Sequence, residues 1–275
     1  MTEQDWEAFV ASVRKDPARA GFILDFDGTL SGIAPTPAEA RALPGASGVL
    51  ATLAGRYPLV AILSGRRAED VLGLIPARGV RYLGLYGAEE LGPRRPSRRR
   101  VGPRRPSRRR VGSSEALLTP RSPAAGLVDE ARTFIQHEGL TGAEVEDKGH
   151  SVALHYRNAT SPAAGEVIEA WAQERAEGLG LQVRPGKMVV ELTSPGPTKA
   201  EALERLVAGS GIRRLVVAGD DVADVGALRR AGELLGTGAL RIGVRSPEAP
   251  AELEEVADVM VPGPEGVLEF LSRFA

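Results

Sequence analysis

Apolar positions along the chain follow two periods in alternation. Trp6, Phe9, Val10 and Val13 recur at helical spacing, and a continuous apolar run over 21–26 comes next. The same order repeats downstream: a helix around 47–54, the run 59–63, a helix over 67–74 and the short run 82–85. Unbroken apolar runs read as strands buried on both faces, and their alternation with helices predicts a parallel sheet covered on both sides. After Lys199 the pattern resumes with a helix through Val207, the run 215–218, a helix over 221–230, the run 240–244 and two short helices around 259–261. The two ends of the chain therefore read as one α/β domain.

The middle has a different rhythm. Residues 122–138 are helical in pattern, 143–146 and 151–156 read as a hairpin around 148–149, 163–177 is helical again, and 181–184 with 188–192 forms a second hairpin around 185–186. Helix, hairpin, helix, hairpin is an α+β unit rather than more parallel sheet. The expected architecture is a Rossmann-like parallel-sheet core, residues 1–111 and 198–275, with an α+β cap domain inserted at 112–197. A length of 275 residues suits one such core with a smaller insert.

Composition narrows the chemistry. The absence of cysteine removes disulfides and thiolate metal sites, and a total of three histidines argues against a histidine-built zinc centre. Acidic residues within 1–20 (Glu3, Asp5, Glu7 and Asp16) argue against a secretory leader there, and no apolar run reaches the ~18 residues of a membrane span, so a cytoplasmic protein is expected. The net charge of −1 conceals an asymmetry: the decapeptide GPRRPSRRRV occurs twice in succession over 92–111, carrying ten arginines and no acid. Without it, 25 basic residues face 36 acidic ones, a net charge of −11. An acidic body is not a general nucleic-acid surface, and proline with like charge opposes packing, so the duplicated tract reads as a solvated loop.

Candidate chemistry lies at the strand ends. Phe22-Ile-Leu-Asp25-Phe-Asp27-Gly-Thr-Leu30 sets two carboxylates directly after a buried strand, where open α/β sheets assemble their sites. Paired carboxylates allow one to attack phosphorus while the other protonates the departing oxygen, although Asp and Gly also end strands simply to turn the chain. Ser64-Gly65-Arg66 follows the second run, where a helix start would present a hydroxyl and backbone N–H groups to an anion or merely cap itself. Lys199 opens a helix, where an ammonium can neutralise a phosphoryl oxygen. Asp220 and Asp221 follow the run 215–218 and supply the oxygen donors Mg²⁺ prefers.

These four segments in this order resemble the haloacid dehalogenase superfamily of aspartyl-phosphate phosphatases. The insert narrows the match: Glu146-Asp-Lys148-Gly-His-Ser-Val-Ala-Leu-His155-Tyr-Arg157, Gly186-Lys187-Met-Val-Val-Glu191 and Gly84-Leu-Tyr-Gly87-Ala-Glu89 look like motifs of trehalose-6-phosphate phosphatases. The resemblance implies Asp25 as nucleophile, Asp27 as general acid and base, and Mg²⁺ held by Asp25, the Asp27 carbonyl and Asp220 with support from Asp221 and Asp224. It implies Ser64, Gly65 and Lys199 at the phosphate, and Arg66, Glu89, Lys148, His155, Arg157, Lys187 and Glu191 toward the sugar. The expected partner is a small sugar phosphate, with no membrane or nucleic acid, and a monomer is favoured although the sequence does not give the oligomeric state. The chain departs from the family pattern at Ala223 and Val225, where Thr and Glu are usual, at Tyr86, where His is usual, and at Ala200, where Gly is usual. Those departures leave sucrose phosphate, a glycosyl phosphoglycerate or a hexose phosphate as alternative substrates. A non-catalytic sugar-phosphate binder, or an anion-docking role for the arginine tract, is the alternative of another class.

Overall fold

A computed structural model describes residues 3–32, 34, 39–93, 126–149 and 151–275. The duplicated arginine tract beyond residue 93 and the first residues of the helix expected at 122–138 lie outside the described residues. The chain begins with α1 (Glu3–Lys15), β1 (Ala20–Leu24), α2 (Ala46–Arg56), β2 (Leu59–Leu63), α3 (Ala68–Leu74), β3 (Arg81–Gly84) and β4 (Glu89–Leu91). It ends with α6 (Lys199–Val207), β9 (Arg214–Gly219), α7 (Val222–Leu235), β10 (Ala239–Arg245), α8 (Ala251–Val256), β11 (Val259–Pro262) and α9 (Gly263–Ser272). Their strands form one seven-stranded sheet in the order β11-β10-β9-β1-β2-β3-β4. Every pairing in it is parallel except β3 with β4.

Alternation along β1 splits the core between the two faces of this sheet. Phe22 and Leu24 join Val60, Ile62 and Phe274 on one side, while Ile23 joins Ala61, Leu63, Leu203 and Leu228 on the other. The central strands β1, β2 and β9 are five or six residues of mostly apolar sequence because both faces are covered by helices. The sheet grows from β1 outward in both directions, to β2 on one side and β9 on the other. That reversal leaves a crevice beyond the carboxyl end of β1, where open α/β sheets bind ligands.

The intervening chain contributes α4 (Val128–His137), β5 (Glu144–Asp147), β6 (Ser151–His155), α5 (Ala164–Leu179), β7 (Gln182–Gly186) and β8 (Val189–Thr193). These strands make a separate antiparallel sheet, β5-β6-β8-β7, packed on its own apolar cluster of Val152, Leu154, Ile168, Trp171, Val190 and Leu192. Phe134 stacks on Trp171 at a 4.8 Å centroid distance and extends that cluster.

Three details differ from the sequence expectation. The second hairpin turns at Lys187 and Met188 rather than at 185–186: β7 runs through Gly186, and Met188 takes the left-handed conformation, φ 57°. The residues around 259–261 form a strand, β11, with α8 and α9 on either side, because three apolar residues suffice for an edge pairing with β10. The run 82–85 ends at Gly84, since Leu85 and Tyr86 both leave the strand for positive φ.

Candidate active site

Asp25, the first residue past β1, donates its backbone N–H to Ala218 O at 3.0 Å, so the site begins where the β1–β9 ladder ends. Phe26 points into the core, and Gly28 then reverses the chain with φ 77°. A Cβ on Gly28 would lie 1.8 Å from Asp220 Oδ2, so glycine is required here by conformation and by space together. Asp220 follows β9, and Asp224 sits on the first turn of α7. Carboxylate oxygens of Asp25, Asp220 and Asp224 fall within 4.8 Å of one another, all buried.

Three acids so close repel one another unless charge is supplied. Lys199, at the first turn of α6, donates to Asp25 Oδ1 at 2.7 Å and to Asp224 Oδ1 at 2.8 Å. Burial works against its charge, but Asp224 and Asp25 outweigh it and hold the ammonium pKa well above the ordinary value. Burial pushes the Asp25 carboxyl up to about 8 despite Lys199, with Asp220 adding to the rise. Asp220 is pushed up to about 7 by the same desolvation, although Lys187 pulls it down. Asp221 is different: it is the N-cap of α7, accepting from Asp224 N at 3.1 Å in a capping box, and Lys199 and these bonds hold its carboxyl low against burial. The buried, all-oxygen donor set of Asp25, Asp220 and Asp224 suits a hard divalent cation.

The remaining wall comes from β2, the β3–β4 turn and the second sheet. Ser64 follows β2, buried, and its Oγ accepts from Arg66 N at 3.1 Å. Arg66 grips Asp27 in a two-pronged fork, Nε to Oδ2 at 2.7 Å and Nη2 to Oδ1 at 2.8 Å. From the second sheet, Lys187 at the β7–β8 turn donates to Asp220 Oδ2 and to Ser246 Oγ, the latter at 3.2 Å. Glu191 on β8 is buried and accepts from Ser151 Oγ at 2.5 Å, Lys148 Nζ at 3.0 Å and Tyr86 Oη at 3.3 Å. His155 Nε2 lies 2.9 Å from Glu146 Oε2. Burial would raise the Glu146 carboxyl, but the His155 bond and the Lys148 charge bring it below its ordinary value. Together these groups surround a cavity of about 500 Å³ between the two sheets, within the usual range of ligand pockets.

Most expected site residues line that cavity: Asp25, Asp27, Ser64, Gly65, Arg66, Lys148, His155, Arg157, Lys187, Glu191, Lys199, Asp220 and Asp221. Glu89 does not. Its Oε2 accepts from Ala68 N at 3.0 Å and its Oε1 lies 3.5 Å from Arg67 Nε, so it serves the start of α3, whose free N–H groups attract a carboxylate. Asp224 lies beneath the wall as a partner of Lys199. Arg157 reaches the cavity but is held by Glu248 through both terminal guanidinium nitrogens, one bond at 2.8 Å, which ties the second sheet to the loop after β10.

Arg184, Ser246 and Glu248 also shape the site and lie outside every sequence motif, while Ser151 falls inside one without being singled out by it. The only available signal was strand alternation: Arg184 and Glu191 are cross-strand partners in the β7–β8 register and so share a face. Tyr86 stood out only as a departure from a pattern. It and Leu85 are consecutive non-glycine residues at φ 58° and 52°, an arrangement that costs roughly 1–2 kcal/mol per residue and that tertiary contacts must hold.

The family model described as trehalose-phosphatase matches residues 23–233. A trehalose-phosphate phosphatase of Mycobacterium avium is 36% identical over 209 residues, which is 73% of this chain and 48% of that protein. One from Mycobacterium bovis is 30% identical over 269 residues, 96% of this chain and 62% of that protein. The chain thus spans about half to three-fifths of the length of these relatives. Among solved structures, the C-terminal domain of a trehalose-6-phosphate phosphatase from C. albicans superposes with a TM-score of 0.72 at 20% identity, covering 97% of this chain and 95% of that one. At that identity it shows the shared fold alone, whereas the family match runs from the end of β1 through the whole second sheet to most of α7: the chain belongs to the trehalose-phosphatase family.

Proposed function

We propose that the protein is a phosphatase that hydrolyses trehalose 6-phosphate to trehalose and phosphate through an aspartyl-phosphate on Asp25, with residues 112–197 acting as a cap over the core. The observation that carries this reading is the packing of Asp25, Lys199, Asp220 and Asp224 at the mouth of β1, facing a polar cavity closed by a second sheet. A buried carboxylate held by one ammonium is a nucleophile with a fixed direction. A cavity lined by alternating cations and acceptors matches a polyhydroxyl ligand with a dianionic end.

In the first step a carboxylate oxygen of Asp25 bonds to phosphorus while the bond from phosphorus to the sugar oxygen breaks. Asp27 gives that oxygen its proton. In the second step Asp27 takes a proton from water, the water oxygen bonds to phosphorus, and the acyl-phosphate bond breaks to restore Asp25. Both Asp27 oxygens are taken by the Arg66 fork, and the incoming dianionic phosphoryl group is the natural competitor for that guanidinium, which frees Asp27 to face the leaving oxygen. Ser64 and Lys199 hold phosphoryl oxygens, while Lys148, His155, Lys187 and Glu191 face the sugar. Asp25 and Asp220, backed by Asp224, would hold Mg²⁺, which when bound neutralises charge on the carboxylates and the phosphoryl group. Among the described residues no helix is long and apolar enough to cross a membrane, and a cytoplasmic monomer is the form proposed.

A panel of phosphorylated sugars tests the substrate. Trehalose 6-phosphate should lead sucrose phosphate, glycosyl phosphoglycerate and hexose phosphates by at least ~10-fold in kcat/KM, about 1.4 kcal/mol of transition-state preference. A flat profile rejects the assignment. Chelation should remove activity and Mg²⁺ restore it.

Gly28→Ala is a sharper probe of the same centre. Its Cβ would drive Asp220 aside, so turnover should fall ~100-fold, the usual penalty for displacing a catalytic group by about an ångström. Its melting temperature should fall as well, because alanine is strained at φ 77° and the Asp220 it displaces is buried. Retention of full Mg²⁺-dependent activity would show that Asp220 has no fixed place in the reaction.

A further inference from the structure

Tyr86 belongs to the seven-stranded sheet's side of the cavity but is gripped by the second sheet. Arg184 and Glu191, cross-strand partners on β7 and β8, hold it from two directions. The Arg184 guanidinium lies over the Tyr86 ring at 4.3 Å from its centroid, and Glu191 Oε2 accepts from the phenol at 3.3 Å. Burial and the Glu191 charge push the phenol pKa above its ordinary value, so it stays a donor. Arg184 has a second hold: its Nη2 donates to Gly196 O at 3.1 Å and Pro197 O at 3.0 Å. Those carbonyls belong to the linker that leaves β8 and delivers Thr198, the N-cap of α6, and then Lys199.

On the other side Tyr86 touches the loop that follows β2. Its backbone N–H donates to Ser64 O at 2.9 Å, and Leu85 N donates to Arg66 O at 2.8 Å. The phenol packs so closely on Gly65 that a Cβ there would sit 2.9 Å from its oxygen. The left-handed backbone at Leu85 and Tyr86 is what aims the ring at this spot. One aromatic side chain therefore lies between the second sheet and the loop Ser64–Arg66, and the arginine that clamps it also fixes the linker to Lys199.

We propose that Arg184 and Tyr86 are positioning residues that couple closure of the second sheet to the geometry of the phosphate-side groups, Ser64 through Gly65 and Lys199 through the linker. Neither is asked to touch the reacting atoms. The role rests on the phosphatase reading only for the choice of substrate. Closure matters when a ligand spans both sheets, so a sugar phosphate depends on the coupling and a small aryl phosphate bound at the core alone does not.

The test compares Arg184→Met, Arg184→Lys and Tyr86→Phe with the parent protein in Mg²⁺, on trehalose 6-phosphate and on p-nitrophenyl phosphate. In Arg184→Met the ratio of kcat on the sugar phosphate to kcat on the aryl phosphate should fall about tenfold, with KM for the sugar phosphate changed less than threefold, because contacts made only in the closed state act on kcat. Amide hydrogen exchange at Gly65 and Arg66 should quicken at least about fivefold in the protein without substrate. Arg184→Lys keeps a charge but loses the planar stack and should remain impaired. Tyr86→Phe keeps the stack, loses the bond to Glu191, and should lower the ratio by about threefold; it decides the matter if Arg184→Met does not fold. An unchanged ratio with unchanged exchange, or full rescue by Lys, overturns the coupling. If the parent leaves trehalose 6-phosphate intact, the substrate reading fails separately, and the exchange measurement still decides the coupling.

Discussion

Asp25→Asn should abolish phosphate release, with kcat reduced at least ~10⁴-fold, the scale seen when a covalent nucleophile is removed while binding is kept. The amide has the size of the carboxyl, but its oxygen does not attack phosphorus. Folding should survive for a reason already in the electrostatics. Burial already disfavours charge on the Asp25 carboxyl and pushes its pKa upward despite Lys199, so an uncharged amide fits the same space. Lys199 keeps its 2.8 Å bond to Asp224 Oδ1, so its ammonium is not stranded. A melting temperature within a few degrees of the parent is therefore expected alongside the lost activity. Acid-quenched reactions with phosphate-labelled substrate add a direct readout: label should stay on the parent chain and be absent from the variant. Undiminished turnover by the variant would exclude Asp25 as nucleophile.

How far the sequence revealed this arrangement differs between the two sheets. In the parallel sheet, the stretches 20–24 and 59–63 are apolar without interruption because helices cover both faces of β1 and β2. Residues that follow such strands land at one edge of the sheet, so the strand pattern alone groups Asp25, Ser64 and Asp220. The second sheet gave its hairpins but not its contacts. Lys187 reads as a turn lysine until the turn is seen to bring it onto Asp220 and Ser246. Arg157 and Glu248, 91 residues apart, meet only because the second sheet rests on the loop after β10. Glu89 misled for the opposite reason. It belongs to a recognisable segment, yet its carboxylate is taken up by the N–H groups opening α3, a local use that residue type alone does not distinguish from ligand binding. Left-handed Leu85 and Tyr86 carry no signal in composition or periodicity, since non-glycine residues enter that region only when surrounding contacts force them to.

Lys199→Met tests the electrostatic centre from the other side, and its two effects should separate. Lys199 is 4% exposed and sits between Asp25 and Asp224. Removing one partner of a buried ion pair typically costs about 3–5 kcal/mol. Here the cost should fall near or below the lower end, because Asp25 and Asp224 are already pushed upward by burial and respond by keeping protons rather than standing as unpaired anions. That response has a sign. Carboxyls whose folded pKa lies above the unfolded value near 3.8 stabilise the fold at low pH and lose that contribution as pH rises through the folded value. Lys199 lowers the Asp25 value, so its loss moves the window further upward, past about 8. In chelator, the melting temperature of Lys199→Met should decline with pH up to and beyond that point, while added Mg²⁺ should recover part of it by supplying the missing positive charge. Turnover should not recover with it. The ammonium is the group placed to hold both the nucleophile and a phosphoryl oxygen, and losing one such preorganised donor costs roughly 10²–10³-fold in kcat. A variant restored by Mg²⁺ in stability and in rate alike would mean that Lys199 only balances charge, and the division of labour between ammonium and metal proposed for this site would have to be abandoned.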